Sequence, residues 1–121
     1  MSNYEVVATG LEFPEGPVVM SDGSVILVEI KRGTISRVDP ADGSIEVVAN
    51  PGGGPNGAAL GPDGALYVCN NGGFEWGQAR GLTVPGLVPK DYSSGRIERI
   101  DIETGEVVTL YAEVNGEPLK G

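Results

Sequence analysis

Apolar side chains along this chain come in short runs, and each run stops at a turn signal. Val25 to Glu29, Thr34 to Val38 and Ile45 to Ala49 are rich in β-branched residues, and Lys31-Arg32-Gly33 and Asp42-Gly43 lie between them. Asp22-Gly23 precedes the first of these runs and separates it from Val18 to Met20. Short β-branched runs bounded by glycine and aspartate predict strands joined by tight turns. A helical period is never sustained over the ten or so positions that a helix needs. The spacing therefore predicts a four-stranded meander: roughly Val18 to Met20, Val25 to Glu29, Thr34 to Val38 and Ile45 to Ala49.

The same pattern returns. Tyr4-Glu5-Val6-Val7-Ala8 reappears as Ile45-Glu46-Val47-Val48-Ala49, a shift of 41, and Pro14-Glu15-Gly16 aligns with Pro55-Asn56-Gly57 at that shift. Ser21 to Val28 aligns with Pro62 to Cys69, again an Asp-Gly turn followed by an extended run. Gly33 to Asp39 matches Gly95 to Asp101 at a shift of 62, so the second unit carries 21 additional residues. A period near 40 residues with four strands per unit is the signature of a β-propeller blade. The predicted fold class is all-β: a partial propeller with about two four-stranded blades, in a single domain spanning 1–121. Blade 1 covers 11–50, blade 2 covers 51–121 with an insertion at about 73–93, and 3–10 repeats a fourth strand, as expected of a strand completing the closing blade of a ring. Propellers close with about four to eight blades. Missing blades or self-association would then be needed to close the ring, because each blade buries its faces against neighbours.

Composition narrows the partners. Eight basic against seventeen acidic side chains give a net charge of −9, which removes the phosphate-neutralising attraction that nucleic-acid binding depends on. Nucleic acid is not an expected partner. The first residues lack the basic and apolar segments of a signal peptide, and no apolar run is long enough to cross a bilayer, so a soluble, unprocessed, cytoplasmic chain is expected. The single cysteine, Cys69, cannot form an internal disulfide; within a strand it is expected to be a small buried hydrophobe.

The chain has no histidine, so imidazole bases, imidazole ligands and Ser/His or Cys/His pairs are excluded. Oxygen donors must carry any chemistry. Glu15 and Asn56 occupy the same position of successive repeats, before the first strand of each blade, and equivalent positions of successive blades converge on the propeller axis. A carboxylate and an amide oxygen there suit a hard divalent cation, calcium above all. The alternative is that Pro14-Glu15-Gly16-Pro17 and Pro55-Asn56-Gly57 are turn sequences, kept for their prolines and glycines. Asn70-Asn71-Gly72-Gly73 and Asn115-Gly116 read as turns, and Gly52-Gly53-Gly54 lacks the Lys-Ser/Thr and helix of a phosphate loop.

Phe13-Pro14-Glu15-Gly16-Pro17-Val18, the stretch Gly53 to Gly64 and the stretch Leu66 to Phe74 together resemble the first two blades of the gluconolactonase, regucalcin and phosphotriesterase-like six-bladed propellers. The resemblance covers nearly the whole chain. It implies a metal-dependent hydrolase of small-molecule lactones or esters, with Glu15 matching a glutamate ligand of the first blade. Asn56 matches an asparagine that binds the metal or contacts substrate. The later asparagine and the aspartate that assists as base have no match, so the resemblance assigns no catalytic residue, and the isolated chain is expected to be silent. Two other readings stay open: a noncatalytic binding or assembly module, and a calcium-binding regulator without turnover.

The insertion holds Phe74, Glu75, Trp76, Arg80 and Tyr92, with Pro85 and Pro89 restraining it. It exceeds ordinary hairpin loops in length. The sequence leaves open whether it forms a lid over a pocket or a self-packed loop anchored by Trp76, and on which end of the blade it lies.

Overall fold

The computed structural model describes residues 3–121, which contain strands and no helix. Four strands, β1 (Pro14–Val19), β2 (Val25–Glu29), β3 (Thr34–Val38) and β4 (Ile45–Ala49), form an antiparallel sheet in chain order. A second sheet follows the order β10-β9-β6-β5, with β5 (Pro55–Leu60), β6 (Leu66–Asn70), β9 (Arg96–Ile100) and β10 (Val107–Tyr111). Between β6 and β9 stands a separate two-stranded hairpin, β7 (Trp76–Ala79) and β8 (Leu82–Pro85). A last small hairpin, β11 (Glu113–Val114) and β12 (Glu117–Pro118), turns at Asn115 and Gly116, both with positive φ. The two large sheets are the two expected blades, each a meander.

Side chains alternate across each sheet, and the two faces of blade 1 have different fates. Ile26, Val28 and Ile35 pack with Leu66, Val68 and Ile100 of blade 2 into one buried cluster. This inter-blade layer is the core of the chain. On the opposite face, Val25, Leu27 and Val38 border a groove shared with Val6, Val7 and Leu11 of the N-terminal segment. Segment 3–10 forms no strand, since an extended segment needs partner strands of its own blade to complete a ladder. It nevertheless lies against blade 1 as β4 lies against blade 2. A β-carbon added to Gly43, in the β3–β4 turn, would sit 2.6 Å from the Val7 carbonyl oxygen; one added to Gly105, in the β9–β10 turn, would sit 2.7 Å from that of Val48.

Two expectations need correction. The first strand starts at Pro14 rather than near Val18, because Pro14 pairs with Glu29 across a bulge between Glu15 and Val18. Cys69 is exposed rather than buried. In β6, Leu66, Val68 and Asn70 are buried on the side facing blade 1, so alternation turns Cys69 and its β9 partner Ile97 toward the far face of blade 2.

Candidate functional site

Glu15 and Asn56 sit near the starts of β1 and β5, the edge strands of the two sheets that lie next to each other. A bulge follows Glu15 and another falls on Asn56. In blade 1, Glu15 pairs with Val28 and the next register pair is Val18 with Ile26, three residues against two. In blade 2, Pro55 pairs with Asn70 and Gly57 with Cys69, leaving Asn56 unpaired. A bulge adds one residue to one strand and re-aims a side chain. Bulges at slightly different positions of the repeat thus lie beside an exposed carboxylate and an exposed amide at the same end of neighbouring strands.

Backbone contact fixes the spacing of those strands. Gly16 has φ +53, and a β-carbon there would lie 2.9 Å from the Ala58 backbone nitrogen. Glycine accommodates both the left-handed angle and the close approach. Gly16→Ala is expected to cost about 1–3 kcal/mol, seen as a lower urea midpoint; an unchanged midpoint would refute the close packing of β1 on β5.

Neither candidate ligand is tied up by another group. Among the described residues, the Glu15 carboxylate accepts only its neighbour's backbone N–H, from Gly16 at 3.3 Å. Glu15 borders a shallow groove with Leu11, Pro14, Pro17 and Leu27, whereas Asn56 borders another with Cys69, Asn71, Ile97 and Leu119. No group of three or more His, Cys, Asp or Glu suited to a metal occurs among the described residues. The donor chemistry, one carboxylate and one amide oxygen, fits part of the oxygen shell of a hard cation, which takes six to eight ligands.

Two buried polar clasps, unforeseen from the sequence, hold the chain entering these strands. In blade 1, fully buried Glu29 accepts from the Glu12 backbone N–H at 2.7 Å, from Arg32 Nε at 2.9 Å and from the hydroxyls of Thr34 and Ser36. Arg32 Nη2 also donates to the Gly10 carbonyl at 2.9 Å. In blade 2, Asn70 Oδ1 accepts from the Gly54 backbone N–H at 3.0 Å, and Asn70 Nδ2 donates to Glu98 Oε1 at 2.8 Å. Arg96 donates to Glu98 Oε2 at 2.9 Å and to the Pro51 carbonyl at 3.0 Å. Positions 29 and 70 are repeat equivalents, as are 36 and 98, so the buried carboxylate changes strand between blades while the guanidinium clasp on the incoming loop persists. Burial pushes the Glu29 carboxyl up, but the hydrogen bonds from Ser36, Glu12, Arg32 and Thr34 outweigh it and hold it below its ordinary value.

The turn readings of the asparagines agree with the structure. Asn70 Oδ1 accepts from Gly72 N–H and Asn71 Oδ1 from Gly73 N–H, and Asn115 lies in the turn between β11 and β12.

The insertion leaves β6 at the end where β5 begins, because Pro55 pairs with Asn70. It is therefore on the Glu15 and Asn56 end of the blades. Arg80 and Gly81, with φ of 53° and 77°, form the tight turn between β7 and β8. The signal for this hairpin was present in the alternation Gln78 to Val84 around Arg80-Gly81, but each strand is only four residues long.

The family model for the SMP-30/gluconolactonase/LRE-like region matches residues 13–120. The chain belongs to that family. A gluconolactonase from Zymomonas mobilis subsp. mobilis is 28% identical over an alignment covering 56% of this chain and 23% of that protein. The structure also resembles the PQQ-bound form of an aldose sugar dehydrogenase from Streptomyces coelicolor, a propeller-type enzyme. The TM-score is 0.60 and the identity 26%, over 88% of this chain and 32% of that one. The chain thus spans about a quarter to a third of the length of these relatives. The family match begins at Phe13 and so includes Glu15, both bulges, the whole blade 2 clasp and the side chains of the blade 1 clasp. Among the described residues, no helix is long and apolar enough to cross a membrane.

Proposed function

We propose that these two blades form part of a divalent-cation-dependent hydrolase of lactones or esters, with Glu15 and Asn56 supplying oxygen ligands to a calcium-type ion. The observation that carries this reading is that Glu15 and Asn56, at repeat-equivalent positions, are both exposed beside a bulge at the same end of adjacent strands. The family match and the gluconolactonase relative support the reaction class.

A bound cation supplies Lewis-acid polarisation of the acyl carbonyl. Glu15 contributes the negative charge that attracts such an ion, and Asn56 contributes a neutral donor that also orients a substrate oxygen. The family resemblance matches no general base within these two blades, so the proton acceptor for an attacking water is assigned to a carboxylate outside them, from further blades or from another copy. The exposed far face of blade 2, with Cys69 and Ile97, is where such an element would dock. The two blades alone are accordingly inactive.

Two protein ligands leave water to fill most of the shell, so calcium affinity is on the order of millimolar. Calcium at saturating concentration is expected to raise the thermal midpoint of the native chain, and Glu15→Ala to abolish that shift. An equal shift in Glu15→Ala would remove Glu15 from the ligand set. Calcium binding without any lactone turnover by the assembled ring would favour a regulatory role instead.

A further inference from the structure

The β7–β8 hairpin is not packed only on its own loop. Trp76 lies with its ring centroid 5.1 Å from that of Phe13 in blade 1, at an interplanar angle of 52°, and 5.9 Å from that of Phe74, edge to face at 84°. Phe13 precedes Glu15 by two residues. Its backbone has φ +59, a left-handed conformation that a bulky side chain rarely adopts. Yet Phe13 remains 38% exposed, and neither Phe74 nor Trp76 belongs to the inter-blade core. Core packing therefore accounts for none of the three rings. What the strained backbone achieves is to set an aromatic face from blade 1 against an aromatic face from the insertion, at the end of the blades where Glu15 and Asn56 emerge.

The base of the hairpin is closed by hydrogen bonds, Glu75 N–H to the Leu87 carbonyl at 2.7 Å and Gly86 N–H to the Glu75 carbonyl at 2.6 Å. At its root, Gly73 lies against the backbone of Gly53. Beyond these anchors the strands are largely exposed. Small-molecule sites commonly combine apolar and aromatic walls with a few polar groups that fix orientation. Phe13, Phe74 and Trp76 offer aromatic surface of this kind at the end of the blades where Glu15 and Asn56 are exposed, outside the separate grooves that those two residues border.

We propose that the β7–β8 hairpin is a lid clamped to the Glu15 strand through Trp76, and that the Phe13–Trp76–Phe74 cluster selects neutral lactones and esters carrying an apolar chain. The hydrolysis of such ligands rests on the function proposed above; their binding against the aromatic wall does not.

Trp76 is the single tryptophan of the chain, so its emission reports on this cluster directly. Titration with γ-nonalactone is expected to change the emission saturably, with half-saturation roughly tenfold or more below that for γ-butyrolactone, since each buried methylene favours binding severalfold. Phe13→Gly should abolish this chain-length preference. Glycine is at ease at φ +59, so circular dichroism should remain native and the loss be attributable to the missing ring. Equal half-saturation for the two lactones, no emission change with either, or a preference that survives Phe13→Gly in a native-like fold would each overturn the proposal. Glu15→Ala separates the two readings. It should lose the calcium response and keep the chain-length preference, whereas loss of the preference in Glu15→Ala would overturn an independent aromatic wall.

Discussion

Glu29→Ala is expected to lower the stability of the chain by about 3 kcal/mol, a large share of the 5–15 kcal/mol typical of a folded domain. The Glu29 side chain is fully buried and accepts four hydrogen bonds. Removing it strands donors whose desolvation has already been incurred. Some relief is available: Thr34 and Ser36 hydroxyls lie 3.0 Å apart and can bond to each other, and Arg32 is exposed enough to be hydrated. The Glu12 N–H has no such alternative, and its loss frees the segment that leads to Phe13 and Glu15. Glu29→Gln retains an acceptor and should cost less. The same site gives a pH signature. A carboxyl whose folded-state pKa lies below its ordinary 4.5 contributes stability that is full above that value and disappears as pH falls through the folded pKa. Urea midpoints at pH 7 and at successively lower pH below 4.5 should therefore converge between the native chain and Glu29→Gln. Asp22, Asp42 and Asp101, held low mainly by hydrogen bonds within their turns, and Asp63, held low first by the Tyr67 hydroxyl of β6, add an acid slope common to both proteins, so the difference between them isolates Glu29. A difference that stays constant with pH would show that ionised Glu29 is not what the clasp stabilises.

The blades and the candidate ligands were legible because repetition speaks through residue types that turns and strands require. Asp22-Gly23 and Asp63-Gly64 mark the same turn, and the β-branched runs beside them gave β2, β3 and β4 with their observed limits. Glu15 and Asn56 were found through the same register. The clasps were hidden because the repeat does not preserve them residue by residue. Glu29 corresponds to Asn70, and Ser36 to Glu98, so a charge moves from one strand to its neighbour while the pair of positions keeps one buried carboxylate. A signal existed: Glu29 lies on the same alternating face as Val25 and Leu27, where a solvated charge has no place. Cys69 failed for a different reason. Alternation fixes which face it shares with Tyr67, but whether that face is covered depends on packing between sheets, which no local pattern encodes. The bulges were equally silent, because an extra residue in one strand changes the pairing and leaves the composition untouched.

Leu66→Ala should cost about 3 kcal/mol, within the range for buried leucines that leave a cavity. Leu66 is fully buried, pairs with Ile100 in β9 and Leu60 in β5, and joins Ile26, Val28 and Ile35 of the opposite blade in the shared core. The cavity would therefore open at the joint between blades. Collapse around it is limited by the backbone contact of Gly16 with Ala58, which already fixes how closely β1 and β5 approach. Because Ile26, Val28 and Ile35 are buried against Leu66, Val68 and Ile100 of the other blade, the two are expected to unfold together. The whole urea transition of Leu66→Ala should shift to lower concentration as a single step. A residual transition at the native midpoint would reveal a blade that is stable alone and would sink the shared-core account. Leu82→Ala, on the exposed hairpin, should move the midpoint by less than about 0.5 kcal/mol. The joint also bears on the proposed chemistry: Glu15 and Asn56 lie on different blades, so the inter-blade layer and the Gly16–Ala58 contact help to fix how far apart their strands stand. If both oxygens bind one cation, Leu66→Ala should weaken the calcium response even at temperatures where the variant is fully folded, which the same cavity placed within a single blade would not do.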